Sequence, residues 1–279
     1  MITGHTALYG VVGHPVSHSR SPEMQAAAFA RLGIDAAYVA LPVPPERLDE
    51  ALRGAHALGF QGLNVTVPHK QRAAGLCLGL DDVAEAVGAV NTLRRSAAGW
   101  EGHNTDALAC LGLLQEAGVG RGARALLVGA GGAARAAAWA LLRAGATVRV
   151  AARREEPALE LVHQVLASSQ RGAAAQAVSW GELGAEAERA DVVVNGTSVG
   201  LAGRGEIGRL PLKLRRGQVA VDFVYGETEL TRQAREAGAR LVSGEALLVK
   251  QGALAFQLWT GKPGPEDVMA AAIASGRKG

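Results

Sequence analysis

The stretch Ala125-Leu126-Leu127-Val128-Gly129-Ala130-Gly131-Gly132-Ala133-Ala134-Arg135 constrains this chain more than any other. A short apolar run of strand length meets a glycine cluster and passes into an Ala-rich segment of helix length, Arg135 to Ala144. Gly129, Gly131 and Ala134 match the G-x-G-x-x-G/A spacing of a strand–turn–helix unit that binds dinucleotides. The first glycine permits the tight turn, the second lets the backbone approach a pyrophosphate, and the small third residue lets helix pack on strand. Phosphate then rests on the free N–H groups and positive dipole end of the helix. The same spacing occurs in ordinary turns, and glycine is plentiful here at 37 of 279 residues. The turn alone decides nothing.

Its context adds weight. A second strand, Thr147 to Ala151, ends in Ala152-Arg153-Arg154, where an NAD-specific site places an acid for the ribose 2′-hydroxyl. Two guanidiniums suit a 2′-phosphate instead, because Arg clamps phosphate bidentately. NADP therefore stands ahead of NAD. The competing explanation is a solvated arginine pair.

A chain of 279 residues, 48% hydrophobic and 20% charged, is long enough for two domains with sizeable cores. The net charge of +3 and the scattered basic residues argue against nucleic acid as a partner. Cys77 and Cys110 form no CxxC and no metal-ligand spacing, so no metal is expected. No apolar run reaches membrane-spanning length, and Met1 to Thr6 lacks a signal-peptide core, which makes the cytoplasm the default expectation. Of 29 basic side chains only five are lysine, and Lys70 follows an otherwise uncharged strand end. An amine retained there hints at a chemical need.

Ala7 to Gly13 reads as a strand, followed by the polar loop Val16 to Ser21 and a helix from Pro22 to about Leu32, with Ser21 as its N-cap. Ser17, Ser19 and Ser21 either serve capping alone or cradle a carboxylate or polyol. Ala36 to Leu41 is a second strand and Pro45 to Leu58 a helix. Gly62 to Val67 alternates as a third strand, with Asn64 and Thr66 on one face. Pro68 stops it and Lys70 lies on the next turn. That polar face is either a hydroxyl-binding site or the solvated side of an edge strand. Asp82 to Gly88 reads as helix, and Ala89 to Leu93 pairs as a hairpin with Trp100 to His103. Asn104-Thr105-Asp106 then opens a helix to about Ala117, with Asp106 at the end where the dipole favours an acid.

Beyond the glycine turn, strand and helix patterns alternate as in a doubly wound sheet. Asp191 to Ser198 and Gln218 to Val224 read as buried strands, with helices at Thr228 to Ala237, Glu245 to Trp259 and from Pro265. Ligands of such sheets bind at the carboxyl ends of strands, which places Thr197, Phe223 and Tyr225 well.

Laid end to end, these stretches resemble the shikimate dehydrogenase family over essentially the whole length. The matching motifs are Gly13-x-Pro15-x-x-His18-Ser19-x-Ser21-Pro22, Asn64-Val-Thr-Val-Pro-x-Lys70, Gly88-Ala-Val-Asn91-Thr and Asn104-Thr-Asp106. To these add the glycine turn, Asn195-x-Thr197-Ser198 and Gln251 ahead of Trp259-Thr260-Gly261. The resemblance implies an α/β protein with a discontinuous substrate domain, residues 1–106 and 242–279, and a Rossmann-type NADP-binding domain, residues 107–241, divided by a cleft. It implies reversible NADP-dependent reduction of 3-dehydroshikimate to shikimate, with Lys70 and Asp106 as the catalytic pair. Ser19, Ser21, Asn64, Thr66, Asn91, Tyr225 and Gln251 are the expected substrate ligands. Asp82, Gly129, Ala130, Gly131, Gly132, Ala133, Ala152, Arg153, Arg154, Thr197, Phe223 and Gly244 are the expected cofactor contacts. Assembly as monomer or homodimer stays open.

Several positions depart from the family pattern. Gln25 stands where many members carry His, and Glu23-Met24-Gln25 resembles the branch that also accepts quinate. His69 replaces an aromatic residue, Ala152-Arg153-Arg154 replaces Asn-Arg-Thr, and the loop after Tyr225 lacks a usual Pro. Two alternatives are therefore a quinate/shikimate dehydrogenase of broader specificity and a dinucleotide sensor without chemistry.

Overall fold

Short β-rich runs separated by helix-length segments force crossover connections, and crossovers make neighbouring strands parallel. The chain does this twice. The computed structural model describes residues 2–169, 172–200 and 210–275. They form two units, Met1–Thr105 with Leu248–Gly279, and Asp106–Leu247.

The first unit runs β1 (Ala7–Gly13), α1 (Ser21–Arg31), β2 (Ala36–Pro42), α2 (Leu48–Ala57), β3 (Phe60–Val65), α3 (Lys70–Ala74), β4 (Gly79–Leu80), α4 (Asp82–Val87), β5 (Thr92–Arg95) and β6 (Trp100–His103). Its sheet has the order β2-β1-β3-β5-β6-β4. β1 is parallel to β2 and β3, whereas β5 runs antiparallel to β3 and β6. Val11 and Val12, adjacent on β1, point to opposite faces as strand geometry demands. Val11 packs with Tyr9, Met24, Phe29, Tyr38 and Phe256, and Val12 with Leu48, Leu52, Leu63, Val65 and Leu93.

The second unit contains most of α5 (Thr105–Glu116), then β7 (Arg124–Val128), α6 (Gly132–Arg143), β8 (Thr147–Ala151), α7 (Glu155–Ala167), β9 (Ala174–Val178), α8 (Leu183–Arg189), β10 (Val192–Asn195), β11 (Val219–Asp222), α9 (Glu229–Ala237) and β12 (Arg240–Val242). The chain returns to the first unit inside α10 (Gly244–Thr260) and ends with α11 (Glu266–Ser275). The second sheet is wholly parallel, in the order β12-β11-β10-β7-β8-β9. Strand order reverses between β7 and β10, the switch point at which doubly wound sheets hold ligands. Its apolar strands read as near-continuous runs because helices cover both faces.

Local differences from the sequence reading have local causes. Helix α6 begins three residues early, at Gly132, with Gly131 in the cap position. Ser21 is the first helical residue of α1 and not its cap; Arg20 holds that place without a side-chain bond to the backbone. The helix expected over Pro45 to Leu58 opens with a tight 3-10 turn at Pro45–Arg47. β5 starts at Thr92, since the left-handed Gly88 ends α4 and Val90 N donates to Lys70 O at 2.8 Å, outside any ladder. Most tellingly, β3 has a strand on each side, so the solvated-edge explanation of Asn64 fails. Passage back to the first unit falls at Leu247/Leu248, because β12 pairs with β11 and Leu247 packs in the second unit's core. Among the described residues no helix is long and apolar enough to cross a membrane.

Candidate active site

Topology gathers polar groups at one end of the first sheet. β1 and β3 are parallel neighbours, so the loops leaving them start side by side. His14 N donates to Val67 O at 3.0 Å, and a Cβ on Gly13 would stand 2.5 Å from Thr66 Cγ2. Only glycine allows that approach. Antiparallel β5 begins at this same end, where Thr92 lies opposite both Asn64 and His103. The end therefore collects the β1 loop with Ser19 and Ser21, the β3 loop with Thr66 and Lys70, and the segment from Asn91 to Thr105.

Buried amides fasten these pieces together. Asn64 Oδ1 accepts from the Tyr38 hydroxyl at 2.7 Å, and its Nδ2 donates to Asn91 O at 3.2 Å and Thr92 Oγ1 at 3.1 Å. Both amide protons of Asn64 are thus spent within the protein, leaving a ligand only an acceptor lone pair. Ser21 bonds the Tyr38 hydroxyl, whose ionisation burial pushes further up. Asn91 Oδ1 accepts from Thr105 N at 2.7 Å, while its Nδ2 donates to Thr105 Oγ1 at 2.9 Å and Gln251 Oε1 at 3.3 Å. Gln251, 160 residues downstream, is thereby tied to the residue that leads into β5. Lys70 opens α3 and is half-buried. Its neighbour His69 is 1% exposed and contacts Val43 O through Nε2 at 2.8 Å, and burial lowers its pKa. It is a packing residue. Asp82 lies in the first turn of α4; Asp81, not Asp82, caps that helix and pairs with His103. Asp106 is the second residue of α5, the first residue of the second unit, and is buried.

The second unit has its own gathering point. Gly129 has φ +111°, and a Cβ there would stand 2.9 Å from Thr197 Cγ2 and 3.0 Å from the Gly196 backbone. Gly196 in turn presses on Ala134, whose Cα would lie 2.9 Å from an added Cβ. The small residue at the motif's third position thus lets α6 lie on the turn after β10. Around Gly131 a Cβ would meet nothing, so the helix N-terminus opens onto free space. The first-turn N–H groups of Gly132 and Ala133 have no partner within the helix, as at any helix start, and can take an anion there. Half-buried Ala152 and the exposed Arg153 and Arg154 follow β8, the neighbour of β7. The residues fit a dinucleotide carrying an extra phosphate.

Thr197 follows β10, and Phe223 and Tyr225 follow β11; all three are half-buried. Gly244 starts α10 with its α-carbon so close to Val224 that a Cβ would stand 2.4 Å from Val224 O, a packing need that accounts for this glycine unaided. Four residues outside the expected set also matter: Tyr38, Thr92 and Thr105, which hold the amides of Asn64 and Asn91, and Asp222. Tyr38 sits in an unremarkable apolar strand and gave no signal. Asp222 did: an acid ends the apolar run Val219-Ala220-Val221.

The comparisons with known proteins agree along the chain. Residues 11–93 match the model of the shikimate dehydrogenase substrate binding domain, residues 114–213 that of shikimate / quinate 5-dehydrogenase, and residues 244–274 that of the shikimate 5'-dehydrogenase C-terminal domain. A shikimate dehydrogenase (NADP(+)) of Anaeromyxobacter sp. (strain K) is 70% identical over 274 residues, 98% of each chain. A crystal structure of a shikimate dehydrogenase in complex with NADP+ superposes with a TM-score of 0.90 at 33% identity, covering 100% of this chain and 98% of the other. The shikimate 5-dehydrogenase of Thermus thermophilus, solved with NADP(H) and shikimate, gives 0.84 at 35% identity over 97% and 99%.

Burial pushes the Asp222 carboxyl up to about 6, partly offset by bonds from Thr228, Val224 N and Asn195. The folded protein therefore keeps a proton that the unfolded chain releases near pH 4. Stability from this group is greatest at low pH, falls between about pH 4 and 6 by up to about 3 kcal/mol, and is level above. Asp222→Asn lacks this slope. The melting temperature of the variant minus that of wild type should rise from pH 4.5 to pH 7.5; a constant or falling difference contradicts the assignment.

Proposed function

The chain belongs to the shikimate dehydrogenase family, and on that premise we infer that it interconverts shikimate and 3-dehydroshikimate with NADP(H). What supports this is that Ser19, Ser21, Thr66, Asn91, Gln251 and the half-buried Lys70 all lie on segments gathered at one end of the first sheet. Hydroxyl and amide groups suit a polyol ring. The Ser19 hydroxyl suits its carboxylate, which needs donors that carry no competing negative charge, and the Ser21 hydroxyl joins it by turning its one proton away from Tyr38.

When bound, NADP(H) supplies the hydride donor or acceptor. The chain's own residues handle the proton. Lys70 Nζ takes the proton of the reacting hydroxyl during oxidation and returns it during reduction, when it also faces the negative charge growing on the carbonyl oxygen. The Asp106 carboxylate accepts a hydrogen bond from a substrate hydroxyl and orients the ring. Asn64 presents its remaining Oδ1 lone pair, and Tyr225 its phenol, to the substrate. The N–H groups of the Gly129 to Ala133 turn take the pyrophosphate. Ala152, Arg153 and Arg154 take the adenosine ribose and its 2′-phosphate, and Asp82, Thr197, Phe223 and Gly244 complete the cofactor contacts. We place the enzyme in the cytoplasm: both cysteines are free thiols whose pKa burial raises, as a reducing compartment allows.

Lys70→Ala should lower kcat by about 10²–10⁴-fold, the usual worth of a positioned acid–base group, with little change in the KM for shikimate. Steady-state kinetics at saturating NADP+ check this; a rise in KM with kcat intact would make Lys70 a binding residue. Arg153→Ala should weaken NADPH roughly tenfold in a fluorescence titration and leave NADH nearly unchanged. Equal weakening of both would show that Arg153 does not read the 2′-phosphate.

A further inference from the structure

Asp222 is 0% exposed at the end of β11, in a core where an uncharged residue would pack at lower cost. Its carboxylate accepts three hydrogen bonds, and each leads to a different segment. Oδ1 accepts from Asn195 Nδ2 at 3.0 Å, at the end of β10, and from Val224 N at 3.0 Å, in the turn after β11. Oδ2 accepts from Thr228 Oγ1 at 2.6 Å, the cap of α9.

The bonds do not stop there. Asn195, with Nδ2 given to Asp222, uses Oδ1 to accept from Thr197 N at 3.1 Å and Thr197 Oγ1 at 2.6 Å. Thr197 Oγ1 accepts in turn from Val199 N at 3.0 Å. Orientation therefore passes from carboxylate to amide to hydroxyl. The amide faces Thr197 with its oxygen while its nitrogen donates behind, to Asp222 Oδ1 at 3.0 Å and over a longer 3.4 Å to Val199 O, so Asp222 is the nearer of two acceptors. On the other side, the bond to Val224 N sets the backbone between Phe223 and Tyr225, and the bond to Thr228 closes the loop that carries Tyr225.

We propose that Asp222 is a positioning residue for catalysis: one buried carboxylate sets the turn bearing Thr197 and the turn bearing Phe223 and Tyr225 in a fixed relation. The proposal rests on the function inferred above, in which those turns hold cofactor and substrate. It also accounts for retaining a charge at a site where it costs stability. Rule-breaking groups of this kind are expected where function demands them.

The test uses the full-length enzyme. Wild-type turnover of shikimate with NADP+ is measured first; its absence would end the functional reading, whatever the variants do. With turnover present, Asp222→Ala should raise the KM for both shikimate and NADP+ and lower kcat by about tenfold or more per folded molecule, at a temperature where melting shows it native. Asp222→Asn, which keeps one acceptor oxygen for Asn195 and Val224, should recover most of that loss. Thr228→Val, which removes the hydroxyl that donates to Oδ2 together with the cap on Thr231 N, should raise both KM values, and combining it with Asp222→Asn should cost less than the sum of the two single changes, because both act on one contact. If Asp222→Ala does not fold, the Asp222→Asn and Thr228→Val pair carries the test. Native variants with wild-type kcat and KM, or strictly additive effects of the pair, would overturn the proposal.

Discussion

The amide of Asn91 is the constraint on which the first unit's site depends. It stands just before β5, with its own backbone bonded to the neighbouring strands: Asn91 N donates to His103 O at 3.1 Å and Val65 N donates to Asn91 O at 2.8 Å. The side chain then holds the start of α5 through Thr105 and holds α10 through Gln251. Segments distant in sequence meet at one residue that is 2% exposed. At such burial each unmade bond costs roughly 1–3 kcal/mol, so the network tolerates few alternatives and fixes side chains that would otherwise rotate freely. Asn64 repeats the device one strand away, with Tyr38 and Thr92 as partners. A polar site built of neutral amides and hydroxyls is what a neutral, hydroxylated ring needs around a single anionic group.

The second unit solves a different problem by different means. Here the ligand's charge lies in its phosphates, and the contacts proposed for its pyrophosphate are backbone N–H groups. Gly129, Gly196 and Ala134 are small because three chain segments cross within van der Waals contact. Gly131 has nothing beside it, so packing does not ask for a glycine there; the proposed approach of a pyrophosphate does. Identical residue types in one motif thus answer to two different physical demands, internal packing and external access. Asp222 brings a charge into the polar network that links the ends of β10 and β11.

Much of this was legible in the residues themselves. The alternation of apolar runs and helical segments foretold the doubly wound sheet, and Gly129 to Ala134 its first strand–turn–helix unit. Lys70 stood out by scarcity. What periodicity missed was set by tertiary contact. Asn64 read equally well as a solvated edge until β5 was found on its far side, and a strand's position in a sheet is not written in its own residues. The cap assigned to Ser21 failed because the hydroxyl bonds Tyr38 instead, a partner on the next strand that no local rule supplies. Asp222 was readable as an anomaly, an acid ending a buried strand, but its partners Asn195 and Thr228 become visible only when β10 and α9 are placed beside it. Resemblance to the family supplied the role of each position; the structure supplied the reason many of them are held where they are.

The central claim is that these two units together oxidise one particular ring alcohol with one particular dinucleotide. Initial rates of the purified protein with shikimate and quinate, each with NADP+ and NAD+, test it most directly. The account predicts the highest kcat/KM for shikimate with NADP+, with NAD+ well below it. Faster turnover of quinate, or equal turnover with NAD+, would contradict the specificity argued here, and no turnover in any combination would contradict the activity itself.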